Sequence, residues 1–179
     1  HGIRSQNASL GLVSCLFLSY LGTDNAARDK LVRYVRGYDS YDDNGNGNTT
    51  EKRDWILGSF LHSRPLIIHY QTRSVIFAGS NDGMLHAFDD SDGSELWAFI
   101  PPNVLTNLQA LHGEVVQSFV DGSPKVYISY DSSGQIINKA ILIFGERRGG
   151  NNYYALDITD PLSPRYLWKI SPEGNYAEL

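Results

Sequence analysis

The stretch AFDDSDGSELW at residues 87–97 decides the fold, because ALDITDPLSPRYLW at residues 155–168 repeats its skeleton. The first copy sets Ala87, Asp89, Gly93 and Trp97 in order, and the second sets Ala155, Asp157 and Trp168. A small residue on a strand permits close approach of a neighbouring sheet, and Asp and Gly suit a tight turn. Tryptophan then presents a wide flat surface for packing. Copies of such a strand-and-turn unit along a chain are the sign of a β-propeller blade. A blade cannot bury both of its faces alone, so the repeat also predicts neighbours on either side.

Working outward, eight short strands are predicted from period-two alternation. Four fall at 65–70 (PLIIHY), 74–79 (SVIFAG), 84–89 (MLHAFD) and 95–100 (ELWAFI). Four more fall at 124–130 (PKVYISY), 139–145 (KAILIFG), 153–157 (YYALD) and 165–170 (RYLWKI). Asn81-Asp82-Gly83 and Ser91-Asp92-Gly93 supply hairpin turns, as do residues 131–134 and 148–152. The expected fold is mainly β: a partial propeller of about two four-stranded antiparallel blades, near 54–100 and 119–170. Residues 101–118 connect them, with a helical turn at Val104–Leu111. An eight-stranded two-layer sandwich is the alternative, disfavoured because the strongest similarity lies between the two halves.

Residues 1–53 form a separate segment, helical and then polar. A helix is predicted from Asn25 to Arg36, with Asp24 as N-cap, Leu31, Val32 and Val35 as the apolar stripe, and Gly37 as the stop. The run Leu10–Leu21 is too short to span a bilayer and reads as a buried helix or strand. No membrane span is expected. The chain opens at His1, and Ile170–Leu179 reads as the truncated start of a next blade. The propeller is therefore expected to be open on at least one side, its remainder lying on the same or another chain.

Composition removes several functions. A net charge of −5 without a Lys/Arg cluster argues against nucleic-acid binding. Cys15 stands alone, so no internal disulfide forms. His62, His69, His86 and His112 lack zinc-like spacing, and His86 reads as a packed or surface strand residue. Ser63 beside His62 lacks a nucleophile elbow, and Gly145-Glu146-Arg147-Arg148-Gly149-Gly150 opens no helix, so it reads as a hairpin turn. No catalytic residues are expected.

One cation site is suggested by spacing. Asp42, Asn44, Asn46, Asn48 and Thr50 put oxygen side chains on alternate residues, with Gly47 sixth, as in the first half of an EF-hand-type calcium loop. Asp43 and Asp54 would be helpers. The twelfth position is Arg53 where a bidentate Glu belongs, so a plain Asn/Gly-rich loop is the equal alternative.

Five strings go further: LVRYVRGYD (31–39), RDWILGSFLHSRPLIIHY (53–70), VIFAGSNDGMLHAFDDSDGSELWAFIPPNVL (75–105), FVDGSPKV (119–126) and YYALDITDPLSPRYLW (153–168). Together they resemble the carboxy-terminal propeller of the PilY/PilC family, adhesins and assembly factors at the tip of type IV pili. The resemblance runs from about residue 24 to the end, and residues 1–23 carry none. It implies a quinoprotein-like, tryptophan-docked propeller and a non-enzymatic role in pilus assembly, retraction control and surface attachment. The implied partners are minor pilins of the pilus tip and a host or abiotic surface. The implied location is extracellular, at the cell surface with the pilus, after export through periplasm and outer membrane. Calcium regulation is implied by analogy, although the family's own calcium loop lies in a later blade. No quinone is expected, since two blades cannot enclose a central cofactor. The alternatives are a periplasmic propeller scaffold and a fragment of a pyrroloquinoline-quinone-type dehydrogenase. Departures from the family pattern are Arg64, where Ser or Ala is usual, and Ser59, where an acid is usual. Arg36-Gly37-Tyr38-Asp39 interrupts the Arg-Gly-Asp triplet of some members, so integrin attachment is not transferred.

Overall fold

The computed structural model describes residues 21, 24–112 and 117–172. The expectations for most of the Leu10–Leu21 run and for residues 173–179 fall outside the described residues. The chain divides into two compact units, one of residues 1–56 with 105–113, the other of 57–104 with 114–179. Among the described residues, no helix is long and apolar enough to cross a membrane.

The larger unit holds eight strands: β1 (Leu66–His69), β2 (Ser74–Gly79), β3 (Leu85–Asp89), β4 (Glu95–Phe99), β5 (Lys125–Tyr130), β6 (Ile137–Gly145), β7 (Tyr153–Asp157) and β8 (Arg165–Ile170). They form two four-stranded antiparallel meanders, β1-β2-β3-β4 and β5-β6-β7-β8. Each lies within about two residues of its predicted position. The registers repeat as well. Val75 faces Asp89 and Ala87 faces Trp97 in the first blade, as Ile141 faces Asp157 and Ala155 faces Trp168 in the second. Each fourth strand carries a bulge opposite the same step of the third, with Leu96 the extra residue facing Ala87/Phe88 and Leu167 the extra residue facing Ala155/Leu156. A bulge inserts an unpaired residue and sharpens the local twist.

One face of each blade supplies the core. Val75, Phe77, Leu85 and Ala87 of the first meet Ala140, Leu142, Phe144, Tyr154 and Leu156 of the second, with Val120 and Ile158 in the same cluster. Phe99 closes its edge, with ring centroids 6.0 Å from Phe144 and 6.1 Å from Tyr166. Fully burying each large apolar side chain contributes roughly 1.5–3 kcal/mol. The segment before β5 is threaded tightly through this seam. Val120 N–H donates to Ser80 O at 3.2 Å and Gly122 N–H to Gly145 O at 3.1 Å. A Cβ on Gly122 would lie 2.2 Å from that carbonyl oxygen, which is why the position has no side chain.

In the smaller unit, helix α1 (Asn25–Val35) begins at Asp24, whose carboxylate accepts the Ala27 N–H at 2.8 Å. The chain leaves the helix through Gly37 at φ 84°, a left-handed conformation that suits glycine. The expected stripe needs correction: Leu31 and Tyr34 are the buried helix residues, while Val32 and Val35 are half-buried. Tyr34 faces inward with the Arg53 guanidinium 3.9 Å from its ring centroid and Tyr41 packed edge-on at 5.2 Å, so a cation and an aromatic cover it together. Lys52 covers Tyr38 at 3.7 Å and Lys30 covers Tyr41 at 4.3 Å in the same way.

The expected boundary after residue 53 lies instead after 56, since Ile56 packs over Gly37, where an added Cβ would come within 2.8 Å of it. The helical turn of the connector spans Val104–His112. Its end belongs with α1, because His112 stacks on Tyr41 at 4.0 Å and pairs with Asp43 at 2.9 Å.

Candidate functional site

Trp97 docks one blade on the other. Its indole N–H donates to Pro161 O at 2.7 Å, and its ring lies 5.7 Å from Phe77. The Tyr70 hydroxyl donates to Ile158 O at 2.8 Å, so the first blade grips both ends of the 158–161 segment. Ala87 and Ala155 are fully buried. Trp168 is 37% exposed, with its neighbours Tyr153 and Ile170 also exposed, and its indole has no acceptor among the described residues. The two tryptophans thus occupy equivalent register positions in different surroundings.

The repeated aspartates do more than shape a turn. Asp89 Oδ1 accepts the Ser91 N–H at 3.0 Å and hydroxyl at 2.6 Å, while Oδ2 takes Arg73 at 3.2 Å. Asp157 Oδ1 accepts the Thr159 N–H at 3.1 Å and hydroxyl at 2.6 Å, while Oδ2 takes Lys139 at 2.7 Å and Arg165 at 2.6 Å. Hydrogen bonding from the Ser91 hydroxyl holds the Asp89 carboxyl below its ordinary range, and Lys139 above all holds Asp157 well below it. The sequence carried this signal: each aspartate is followed two residues on by Ser or Thr. Gly93 turns the first hairpin at φ 72°.

His86 is 2% exposed and charged. Its Nε2 lies 3.0 Å from Asp82 Oδ2, and its Nδ1 lies 2.6 Å from Glu95 Oε1. The Phe88 ring stacks beside it at 5.5 Å. Burial alone would lower its pKa, but the hydrogen bonds its ring donates to Asp82 and Glu95 outweigh that and lift it to about 9. Asp82 in turn accepts the Gly58 N–H at 2.9 Å, fastening the segment that leads into β1. The expected packed or surface histidine is therefore a packed cation, which spacing alone did not reveal.

His62 joins the same lead-in to the loop before β5, with Nδ1 2.9 Å from Asp121 Oδ1. The Ser63 hydroxyl oxygen accepts the Gly79 N–H at 2.9 Å, a structural duty. Residues Arg147–Gly149 form a single short turn within the β6–β7 hairpin.

The polar loop folds around an acid outside the expected set. Asp42 Oδ1 accepts the Gly47 N–H at 2.9 Å, Asn44 Oδ1 the Asn46 N–H at 3.1 Å, and Asn46 Oδ1 the Asn48 N–H at 2.7 Å. Asn48 Oδ1 accepts both the N–H and the hydroxyl of Thr50. The amides of Asn44, Asn46 and Asn48 converge on the Glu51 carboxylate at 2.8, 2.6 and 3.3 Å. Arg53, at the twelfth position, donates instead to Tyr34 O at 3.0 Å. The loop's acidic closure is thus Glu51. The side-chain oxygens of Asp42, Asn44, Asn46 and Asn48 each accept a backbone N–H within the loop, and Gly47 bends at φ 80°. Among the described residues, no three His, Cys, Asp or Glu side chains are grouped to hold a metal ion.

No family model matches the chain. It is 32% identical over 177 residues to the type IV pilus biogenesis factor PilY1 of Pseudomonas aeruginosa strain PAK, covering 82% of this chain and 14% of that protein. It is 31% identical over 172 residues to the PilY1 homolog of Xylella fastidiosa strain Temecula1, covering 80% of this chain and 14% of that one. The crystal structure of the P. aeruginosa PilY1 C-terminal domain aligns at 39% identity over 55% of this chain and 18% of that chain, with a TM-score of 0.38. The chain spans about one seventh of the length of these curated relatives.

Proposed function

From the premise that this chain belongs with the PilY1 type IV pilus biogenesis factors, we propose that it is a non-enzymatic blade-pair module serving pilus assembly, retraction control and surface attachment. The observation that carries this reading is the identity of 32% over 177 residues, covering 82% of the chain. A rigid sheet scaffold with polar loops at its ends suits contact with other proteins. The partners this reading supplies are minor pilins at the pilus tip and a host or abiotic surface. The location it supplies is the cell surface, reached through the periplasm and outer membrane. In cells that carry the gene, an in-frame deletion of residues 57–170 is expected to remove sheared surface pili and twitching motility. Full piliation with normal motility in that strain would overturn the reading.

Calcium is proposed for the polar loop. Asp42, Asn44, Asn46, Asn48 and Thr50 would turn their side-chain oxygens from loop hydrogen bonds to the ion, and Glu51, released from the three asparagine amides, would supply the carboxylate that position twelve lacks. Bound calcium would order the loop electrostatically. Calorimetric titration with CaCl2 is expected to show one site, abolished in Glu51→Gln. No heat, together with an unchanged melting temperature on chelation, would remove calcium from the proposal.

A further inference from the structure

The two blades carry corresponding clefts beside their repeated aspartates, and the clefts differ in charge. In the first blade a space of about 200 Å³ is lined by Arg73, Ser74, Asp89, Asp90 and Ser91. One cation there faces two carboxylates. In the second blade a space of about 360 Å³ is lined by Asn138, Lys139, Asp157, Asp160, Ser163 and Arg165. The added cation is Arg165, opposite Asp157 on the neighbouring strand; the corresponding residue of the first blade is Ser94, whose carbonyl accepts the Asp89 N–H. Only the second cleft reaches the size of ordinary small-molecule sites, roughly 300–1,000 Å³.

We propose that this second-blade cleft binds a sugar acid, with its carboxylate on Lys139 and Arg165. Both cations converge on the single oxygen Asp157 Oδ2, at 2.7 and 2.6 Å. An ammonium has three donors and a guanidinium five, so most of their N–H groups are left over. Their side chains are 39% and 72% exposed, and the surplus donors stand at an open cleft of a chain whose net charge is −5. Bidentate capture by Arg165 fits a carboxylate.

The neutral and acidic lining sets the rest of the ligand. Asp160 Oδ1 accepts the Leu162 N–H at 3.0 Å, and its second oxygen is an acceptor for a hydroxyl. Asn138 and Ser163 offer further donors and acceptors. A bare acidic side chain would meet only repulsion from Asp160, whereas a polyhydroxylated acid would use it. The loop carrying Asp160 and Ser163 is held in place by Trp97 and Tyr70, so the cleft is preorganised.

The test is an amide NMR titration of the 179-residue chain with glucuronate, glucose and acetate. Glucuronate is expected to shift the resonances of residues 138–139 and 157–165, with acetate and glucose at least tenfold weaker. Arg165→Ser, which installs the first-blade residue at an exposed site, is expected to weaken glucuronate at least tenfold while leaving the other resonances in place. Arg165→Lys is expected to restore part of the loss. Equal binding of acetate would overturn the sugar, and equal binding of glucose would overturn the role of the cations. Full binding by Arg165→Ser, or no shift with glucuronate, would overturn the site.

Discussion

Trp97 and Trp168 sit at the same register position in the two blades, which makes them each other's control. Replacing Trp97 with Phe keeps an aromatic ring against Phe77 but deletes the 2.7 Å hydrogen bond to Pro161 O. A hydrogen bond of this kind contributes a net ~0.5–1.5 kcal/mol, and stranding its carbonyl partner adds up to roughly 1–3 kcal/mol. With the lost ring area, Trp97→Phe is expected to cost about 2 kcal/mol. Trp168→Phe removes an indole that is 37% exposed and without an acceptor among the described residues, so its expected cost is below about 0.5 kcal/mol. Urea denaturation followed by far-ultraviolet circular dichroism reads both, since the signal does not depend on the tryptophan removed. With m near roughly 2 kcal/mol/M, Trp97→Phe moves the midpoint down by about 1 M and Trp168→Phe barely moves it. Equal midpoints for the two variants would refute the assignment of Trp97 as the docking residue.

His86 gives stability a pH dependence of definite sign. Its folded pKa of about 9 lies above the ordinary 6.5, so its contribution is complete below about pH 6.5 and is lost as pH rises through about 9. The loss is at most about 3 kcal/mol, and the melting temperature should fall between pH 7 and 10 in the wild type but stay level in His86→Gln. Gly122→Ala would press a Cβ to 2.2 Å from Gly145 O and is expected to cost more than about 2 kcal/mol, read as a lowered melting temperature; an unchanged value would show that the seam can open there. Asp89→Asn should cost less than Asp157→Asn, because the latter leaves two cations rather than one without their carboxylate, and thermal melts of the two variants check the order.

The strands were legible because their causes are local. Alternation within six residues and a short turn set each hairpin, and a tryptophan on the last strand marks the end of each blade, without reference to the rest of the chain. The contacts that tie those hairpins together are remote: His62 and Asp121 are 59 residues apart, and Tyr70 and Ile158 are 88 apart. Nothing in either neighbourhood marks its partner. The helix stripe failed at Tyr34 for a related reason, since period alone ranks Val32 and Val35 above a tyrosine whose cover is an arginine 19 residues on. Glu51 escaped notice because EF-hand spacing directs attention to position twelve, while the loop closes on position ten.

Aligning the two copies against each other recovers part of what neither shows alone. Where both agree, as in Ala87 with Ala155 or Asp89 with Asp157, the shared residue does a mechanical duty that every blade requires: close approach, or a carboxylate holding Ser/Thr and a basic residue. Some differences are mechanical too, since the 158–161 segment of the second copy receives Trp97 and Tyr70, but one is not. Arg165 in place of Ser94 is not needed to hold Asp157, since Lys139 already does so at 2.7 Å, as Arg73 alone does for Asp89. An exposed cation added to a satisfied carboxylate contributes little to stability. Its effect falls on whatever occupies the cleft, so the departure at Arg165, more than the repeat itself, is where the proposed ligand would be read.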